Sequence, residues 1–362
     1  MKLLFATGGS GGHIYPALAT AQEAEKRGYT AFFIGQTDGM EERILPAAGY
    51  PFYGVPAGKW DRQRPNPLQG VRAAGGLVTA VSLLRQLRPQ LVLGFGGFAS
   101  FPGLAAARLL GVPYVLHEGN AYPGKVTRWF AAGARRVAIS HEAARAHLEG
   151  ARTVLTGFPI REERVAKAEA RERLKLPQGG LLTFVMGGSQ GSKVLNEAVP
   201  KAYADLCAAP TAGAGPHAVL HSTGRRWAGE VAAVTESFKS YFTSGFVDAT
   251  LAWSAADVAI TRSGVSTLSE AAYHGVPSIM VPLPSAAENH QLRNAEAVTA
   301  AGAGWTLEET DLEQLALLWR RALEMGERER AAAAARDLSP AGAAATIVTL
   351  IDEVLSASQE SA

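Results

Sequence analysis

The chain has 362 residues, of which 47% are hydrophobic and 19% are charged, and its formal net charge is +2. This composition is typical of a globular enzyme of about two domains, and it excludes a disordered or low-complexity chain. The single cysteine, Cys207, excludes a disulfide framework and a cysteine-rich metal site, and it suits a reducing cytoplasm.

Short β-branched and aromatic runs alternate with helix-length segments along the chain, which predicts parallel sheets covered on both faces by helices. The predicted strands of the first half are Lys2–Thr7, Thr30–Ile34, Leu91–Phe95, Tyr114–His117, Val137–Ser140 and Thr153–Thr156. Those of the second half are Leu181–Met186, Ala218–Ser222, Phe242–Phe246, Val258–Thr261 and Ser278–Val281.

A weak internal repeat indicates two such units. The segment Leu3–Gly12 resembles Leu181–Gly191, and each is a buried strand that runs into a glycine turn and then a helix. Two Rossmann-like domains in tandem are the simplest interpretation. We expect the domains at 1–158 and 159–340, with a last helix over 341–357 that packs back on the N-terminal domain.

Three glycine-rich loops follow predicted strands, at Gly8–His13, Gly94–Phe98 and Gly187–Gly191. Such a loop at a helix N-terminus leaves backbone N–H groups available to an anion, and ligands of open α/β sheets bind at these strand ends. The NAD fingerprint fails because Ile14 stands where its third glycine belongs. A P-loop fails because Gly191 is followed by Ser-Lys rather than by Lys-Ser or Lys-Thr.

A fourth segment, Arg262–Glu270, also follows a strand and predicts a helix N-terminus that faces a phosphate. Its spacing allows a second interpretation, because Thr267 and Glu270 are placed as in a capping box. If Ser263 caps the helix instead, Glu270 lies one turn inside it and can bind a diol. The spacing alone does not decide between these.

Polar residues stand at two further places where a bound molecule is expected. His117-Glu118-Gly119-Asn120 ends a strand, and His290-Gln291 begins a helix. A solvated turn and a helix surface are the ordinary alternatives. No group of His, Cys, Asp and Glu has the spacing of a metal site, so neither a metal nor a cofactor is predicted.

Together and in this order, these motifs resemble the MurG family, the N-acetylglucosaminyltransferases of peptidoglycan synthesis. The resemblance runs from Leu3 to about Gly304. It implies the GT-B fold, with two Rossmann-like domains whose parallel sheets face each other across a cleft that holds the active site. It also implies transfer of GlcNAc from UDP-GlcNAc to the MurNAc 4-hydroxyl of lipid I, with inversion at the anomeric carbon. The partners implied are UDP-GlcNAc, lipid I and an anionic membrane surface, with no nucleic acid.

The resemblance also implies roles for single residues. The donor contacts implied are Ser10, Gly11, Gly12, Asn120, Arg161, Ser189, Val247, Val265, Ser266, Thr267, Leu268, Ser269, Glu270 and Gln291. Among these, Asn120 and Gln291 match residues on the GlcNAc hydroxyls, and Val247 matches a backbone contact to uracil. Glu270 matches the residue on the ribose diol, which favours a binding role over the capping box.

The acceptor hydroxyl needs a base, and His13 and Glu118 are the two candidates, both from the N-terminal half. A helix N-terminus disfavours the imidazolium form, so His13 is suited to accept a proton. Sequence alone leaves open which of the two residues acts.

The acceptor is a bilayer lipid, so we expect a peripheral enzyme on the cytoplasmic face of the cell membrane. Between Arg62 and His117 the chain has six arginines and no Asp or Glu, which indicates an anionic partner. The predicted contact is Lys59–Arg64 together with the stretch through Arg88, including Leu77, Val78, Val81 and Leu84. Some of these apolar residues are expected to form a core helix face instead.

Three other functions fit parts of the pattern. A related enzyme transfers galactose or glucose to diacylglycerol, and a UDP-GlcNAc epimerase of similar fold needs no lipid acceptor. A nucleotide-sugar-binding regulator would have no turnover. The basic N-terminal half favours a lipid diphosphate acceptor over the epimerase and the regulator.

Overall fold

The computed structural model describes residues 1–58, 67–188, 190–208, 217–339 and 341–360. The chain divides into two compact units, the first formed by Met1–Arg161 with Gly342–Ala362 and the second by Glu162–Ala341. Each unit is built around its own parallel sheet, as predicted for a pair of Rossmann-like domains.

Seven parallel strands form the sheet of the first unit. They are β1 (Lys2–Ala6), β2 (Thr30–Gln36), β3 (Phe52–Val55), β4 (Leu91–Gly94), β5 (Tyr114–Glu118), β6 (Arg136–Ile139) and β7 (Thr153–Leu155). Their order is β3-β2-β1-β4-β5-β6-β7, so the direction of winding reverses between β1 and β4. The loops that follow these two strands leave the sheet side by side, and such a switch point is where open α/β sheets bind ligands.

Helices cover both faces of this sheet. They are α1 (Gly11–Lys26), α2 (Glu41–Ala47), α3 (Pro67–Leu87), α4 (Phe101–Leu110), α5 (Lys125–Phe130) and the C-terminal helix Ala343–Glu360. On one face α3, α4 and α5 pack through residues such as Leu84 and Leu104. On the other face Ile347 and Ile351 of the C-terminal helix are fully buried in one cluster with Ile14 of α1. Burial on both faces explains why these strands are continuous apolar runs.

The sheet of the second unit has six parallel strands. They are β8 (Leu181–Met186), β9 (His217–Ser222), β10 (Tyr241–Ser244), β11 (Val258–Thr261), β12 (Ser278–Met280) and β13 (Gly304–Thr306). Their order is β10-β9-β8-β11-β12-β13, which puts a second switch point between β8 and β11. The third glycine loop follows β8 and the Arg262 segment follows β11, so the two motifs leave adjacent strands.

The helices of the second unit pack on both faces of this sheet. They are α6 (Lys167–Arg173), α7 (Lys193–Ala208), α8 (Ala228–Thr235), α9 (Ala249–Ala255), α10 (Val265–His274), α11 (His290–Ala300), α12 (Leu315–Leu323) and α13 (Met325–Leu338), and the C-terminal helix is α14. Trp253 anchors one face beside Phe184, and Trp319 anchors the other. Both indoles are almost fully buried.

Among the described residues, one stretch that covers α13 and most of α14 has the length and apolar composition of a membrane span. About half of its apolar window, 47%, is buried inside the structure. Buried core helices have the same properties, so this stretch is weak evidence for a span.

The eleven predicted strands are confirmed, but two further strands were missed. These are β3 and β13, which lie at the outer edges of the two sheets. β3 contains a glycine in only four residues, and β13 is only three residues long and begins with one. In each, the glycine breaks the short apolar run that marks a strand in sequence.

Candidate functional site

The first glycine loop leads directly into a 16-residue helix. Ser10 has an extended conformation at the N-cap, and α1 begins at Gly11 with no acidic residue in its first turn. The N–H groups of Gly11 and Gly12 lie in this first turn, where helical amides have no carbonyl partner within the helix. This end of α1 is therefore suited to a negatively charged group.

His13 lies against the second glycine loop. Its Nδ1 atom is 3.0 Å from Ser10 Oγ. Gly96 and Gly97 have φ angles of +77° and +73°, and a Cβ atom on Gly97 would lie only 3.0 Å from His13 Nδ1 and 2.8 Å from the Gly8 carbonyl oxygen. The second loop therefore needs glycine both for its backbone conformation and to make room for the imidazole.

A buried carboxylate, which the sequence did not predict, binds a backbone amide of the first glycine loop. Glu41, the first residue of α2, is fully buried. Its Oε1 accepts a hydrogen bond from Gln36 N at 2.9 Å, and its Oε2 accepts one from Gly9 N at 3.2 Å. A Cβ atom on Gly8 would lie 2.0 Å from Oε1. The Gly9 amide is thus committed to Glu41 rather than to a ligand.

Glu118 organises the loop after β5. The residue is 3% exposed, and its Oε1 accepts hydrogen bonds from Asn120 N and Nδ2, each at 3.0 Å. Its Oε2 accepts a third from Gly124 N at 3.0 Å, directly before α5. A carboxylate that takes three donors of its own loop is placed to hold Asn120 and the start of α5.

His117 points into the core rather than to a ligand. Its ring lies between Phe95 and Phe158, with centroid distances of 5.2 and 5.5 Å, and its Nε2 is 3.2 Å from Ser140 Oγ. Burial lowers the pKa of His117 to about 3, so its ring is neutral.

A cavity of about 570 Å³ opens at the switch point of the second unit. Its lining includes Gly188, Gly191, Arg262, Thr267, Gln291 and Glu309. The N-termini of α7 and α10 both meet this cavity, and their dipoles favour an anion there. Of the predicted donor residues, Thr267 and Gln291 line the cavity directly.

Helix α10 begins differently from both interpretations of its sequence. Gly264 is the N-cap, without a side-chain cap, and the helix starts at Val265. Thr267 lies inside the helix, so the capping box is wrong, and Ser263 is not the cap either. No side chain caps the helix, so the first-turn amides of Val265, Ser266 and Thr267 have no acceptor within the helix.

The last three residues of the segment Arg262–Glu270 differ in what their side chains contact. Leu268 packs in a small core cluster and Ser269 is also buried, so their side chains serve packing. Glu270 lies one turn beyond Thr267, and its Oε2 accepts a hydrogen bond from Trp253 Nε1 at 2.9 Å. Burial raises the pKa of the Glu270 carboxyl, and the bond from Trp253 acts in the opposite direction.

Arg262 ties the walls of the cavity together, a role that sequence reasoning missed. Its Nε donates to Ser192 Oγ at 3.2 Å, and Nη1 donates to the carbonyl oxygens of Val281 and Pro282, each at 3.2 Å. Its Nη2 is 2.6 Å from Glu309 Oε1. The guanidinium therefore connects the residue just before α7, the residues just after β12 and the segment after β13.

The other predicted donor residues are more scattered. Gln291 is in the first turn of α11, and its Oε1 accepts a hydrogen bond from Leu283 N at 3.0 Å. Val247 is half-buried between β10 and α9, and Arg161 is exposed at the last position before the second unit. Ser189 lies outside the described residues.

Two family models match the chain, one on each unit. Residues 3–139 match the glycosyltransferase family 28 N-terminal domain, and residues 182–347 match the glycosyltransferase family 28 C-terminal domain. Together the two matches span most of the chain.

Curated relatives match almost the whole length. The chain is 44% identical to the UDP-N-acetylglucosamine--N-acetylmuramyl-(pentapeptide) pyrophosphoryl-undecaprenol N-acetylglucosamine transferase of Deinococcus deserti, over 98% of each chain. It is 41% identical to the Thermus thermophilus protein of the same name, over 98% of this chain and 100% of that one.

Solved structures agree with this relationship. The crystal structure of Acinetobacter baumannii MurG superposes with a TM-score of 0.79 at 27% identity, over 97% of this chain and 99% of that one. The UDP-GlcNAc 2-epimerase of Neisseria meningitidis, bound to UDP-GlcNAc, superposes with a TM-score of 0.67 at 14% identity over 98% of this chain and all of that one, which shows a shared fold alone. The chain is an enzyme of the GT-B fold, and it belongs to glycosyltransferase family 28.

Proposed function

We propose that this enzyme transfers GlcNAc from UDP-GlcNAc to the MurNAc 4-hydroxyl of lipid I, the undecaprenyl-diphospho-MurNAc-pentapeptide, and so forms lipid II. The observation that carries the proposal is the 44% identity, over 98% of each chain, to a transferase named for these substrates. The cavity of the second unit supports a nucleoside diphosphate donor, because two helix N-termini and three glycines of a switch-point loop meet there.

The second unit is the proposed donor side. The first-turn amides of α10, at Val265, Ser266 and Thr267, together with the third glycine loop and Ser189, would hold the diphosphate. Glu270 would accept hydrogen bonds from the ribose diol, and the backbone of Val247 would contact uracil. Gln291 and Asn120 would contact the GlcNAc hydroxyls, and Arg161 would contact the nucleotide.

The first unit is the proposed acceptor side, with His13 as the general base. The acceptor hydroxyl gives its proton to His13 Nε2 while its oxygen forms a bond to the anomeric carbon. The bond between that carbon and the β-phosphate oxygen breaks, and its electron pair leaves with UDP. The helix amides would stabilise the negative charge that develops on UDP. A single displacement of this kind inverts the anomeric centre.

Glu118 supports this chemistry in a different way. Its carboxylate already accepts three hydrogen bonds from its own loop, and accepting the acceptor proton would weaken them. We therefore assign Glu118 to the positioning of Asn120 and prefer His13 as the base. The first-turn amides of Gly11 and Gly12, with Ser10, would approach the sugar and diphosphate.

The proposed membrane contact is the outer surface of α3. Val71 and Val78 are 68% and 71% exposed, and they share one helix face with the exposed Arg85, since each is two turns from the next. Leu84 is 2% exposed and belongs to the core, and the half-buried Leu77 and Val81 pack against that core, so we leave these three out of the proposed contact. The predicted segment Lys59–Arg64 lies outside the described residues.

Val78→Glu is expected to weaken binding to anionic vesicles by about tenfold, since burying a valine side chain stabilises by about 1.5 kcal/mol. Co-sedimentation with vesicles that contain phosphatidylglycerol measures this, and binding should also fall as salt rises. Val234→Glu is the matched control, because Val234 is 64% exposed on α8 of the second unit. Equal losses in the two variants, or equal binding of wild type to neutral vesicles, would argue against the α3 surface.

The activity itself is tested with radiolabelled UDP-GlcNAc, with lipid I, with diacylglycerol or with no acceptor. Label in lipid II only when lipid I is present supports the proposal. Label in diacylglycerol would indicate the related lipid transferase, and conversion of the sugar without an acceptor would indicate an epimerase. Tight UDP-GlcNAc binding without turnover in any arm would indicate a regulator.

A further inference from the structure

The indole of Trp253 is joined to the carboxylate of Glu270 across two helices. Trp253 on α9 is 1% exposed, and its Nε1 donates to Glu270 Oε2 on α10 at 2.9 Å. The ring is fixed by an edge-to-face contact with Phe184 of β8, with centroids 4.8 Å apart and planes at 86°. A rigid, buried donor therefore sets the position of one carboxylate oxygen.

Within the described part of the chain, the second oxygen of this carboxylate makes no hydrogen bond. No other hydrogen bond to the Glu270 side chain occurs among the residues that the structure describes, so Oε1 remains for a bound molecule. Glu270 stands three residues after Thr267, which lines the cavity, and residues at this spacing share a helix face. Glu270 is not itself among the residues that line the cavity, and this spacing puts it on the helix face next to one that does.

Helix α9 also connects this carboxylate to the proposed uracil contact. The helix is capped by Asp248, whose Oδ1 accepts from Leu251 N at 3.0 Å, and Asp248 directly follows Val247. Trp253 stands five residues after Asp248 in the same short helix. The position of α9 therefore sets both the backbone at Val247 and the donor at Trp253.

We infer that Trp253 is a positioning residue that makes the donor site selective for a ribonucleotide. Its N–H holds Glu270 Oε2 and fixes the rotamer, so that Oε1 meets the 2′- and 3′-hydroxyls of a uridine diphosphate. The inference rests on the proposed donor role of Glu270 and adds the group that orients it. A nucleotide without the two hydroxyls gains nothing from this arrangement.

Trp253→Phe removes the N–H and keeps an aromatic ring in the core. We expect it to weaken UDP binding by about tenfold, the order of one hydrogen bond to a charged group, and to leave binding of 2′,3′-dideoxyuridine 5′-diphosphate unchanged. Isothermal titration with the full chain measures both dissociation constants. Trp253→3-benzothienylalanine removes the N–H while keeping the two-ring shape, and it decides the question if the phenylalanine variant does not fold.

Trp319→Phe is the matched control. Trp319 is also buried in the second unit, and its Nε1 donates to Thr183 Oγ1 at 2.9 Å in the opposite core cluster. It should lower the melting temperature without changing either dissociation constant. Equal weakening of UDP and of the dideoxy nucleotide by the Trp253 variants, or no weakening of either, would overturn the inference.

The variant Glu270→Ala, measured in the same titrations, tests the ribose contact of Glu270 separately from the positioning role of Trp253. If Glu270→Ala loses the preference for UDP over the dideoxy nucleotide and Trp253→Phe loses part of it, the result supports both the ribose role of Glu270 and the positioning role of Trp253. Loss only in Glu270→Ala retains Glu270 as the ribose contact and overturns the role of Trp253. An unchanged preference in Glu270→Ala overturns the ribose role itself, and the role of Trp253 with it.

Discussion

His13→Ala is expected to lower kcat by about 10²–10⁴-fold, the usual cost of losing a general base, while UDP affinity barely changes. The imidazole stands in the first turn of α1 with Nδ1 at 3.0 Å from Ser10 Oγ. If Nδ1–H donates to that hydroxyl oxygen, Nε2 carries the lone pair that accepts the proton. Steady-state kinetics at saturating donor and acceptor measure the effect.

A second substitution separates the base from a purely structural histidine. His13→Asn retains a side-chain amide near Nδ1 and can keep the bond to Ser10 Oγ, but it has no basic nitrogen. It should be as inactive as His13→Ala and should lack the fall of kcat toward acidic pH, because that fall follows protonation of the base. Recovery of kcat in His13→Asn would mean that His13 only positions the loop.

Glu118→Gln provides the comparison with the other candidate base. The amide keeps the shape of the side chain, but one of its two oxygens becomes an NH2 group. That NH2 group would face the N–H groups of Asn120 or of Gly124 and could not accept their hydrogen bonds. We expect a raised KM for UDP-GlcNAc with a smaller change in kcat. A kcat loss that exceeds that of His13→Ala would instead make Glu118 the base, and near-normal kcat in both variants would mean that neither residue is.

Glu270→Ala is expected to cost about 1.5–3 kcal/mol of UDP affinity, roughly 10- to 150-fold, which is the range for hydrogen bonds to a charged group. The fold should persist, because α10 is capped by the backbone at Gly264 and Glu270 takes no part in its N-terminus. Titration calorimetry gives the affinity and thermal unfolding gives the stability. A lower melting temperature with unchanged UDP affinity would show that Glu270 only anchors Trp253.

The strand-and-loop plan of this protein was readable from sequence, because its determinants are local. A buried parallel strand is a short apolar run, and the glycine that follows it reflects a backbone angle that other residues rarely adopt. Eleven strands and the three glycine loops were located this way. The two edge strands were missed because a glycine inside β3 and at the start of β13 breaks an already short apolar run.

The sequence predicts candidate site residues only where they belong to a motif. Ser10–His13, Gly94–Phe98 and Arg262–Glu270 carry their own pattern, whereas Glu41 is 32 residues from the Gly9 amide that it holds. Trp253 meets Glu270 across two helices, 17 residues apart. Such partners are selected by packing, and no spacing rule connects them.

What the sequence by itself determined is thus two α/β units, the glycine loops at their strand ends and the family of the enzyme. The tertiary structure decided which loops become neighbours, since only the strand orders put β1 beside β4 and β8 beside β11. It also decided that α10 begins at Val265, that Leu84 is a core residue and that Glu118 is occupied by its own loop. The physical reason is that hydrogen bonds and burial depend on the whole fold, whereas glycine conformation and apolar runs are properties of a few consecutive residues.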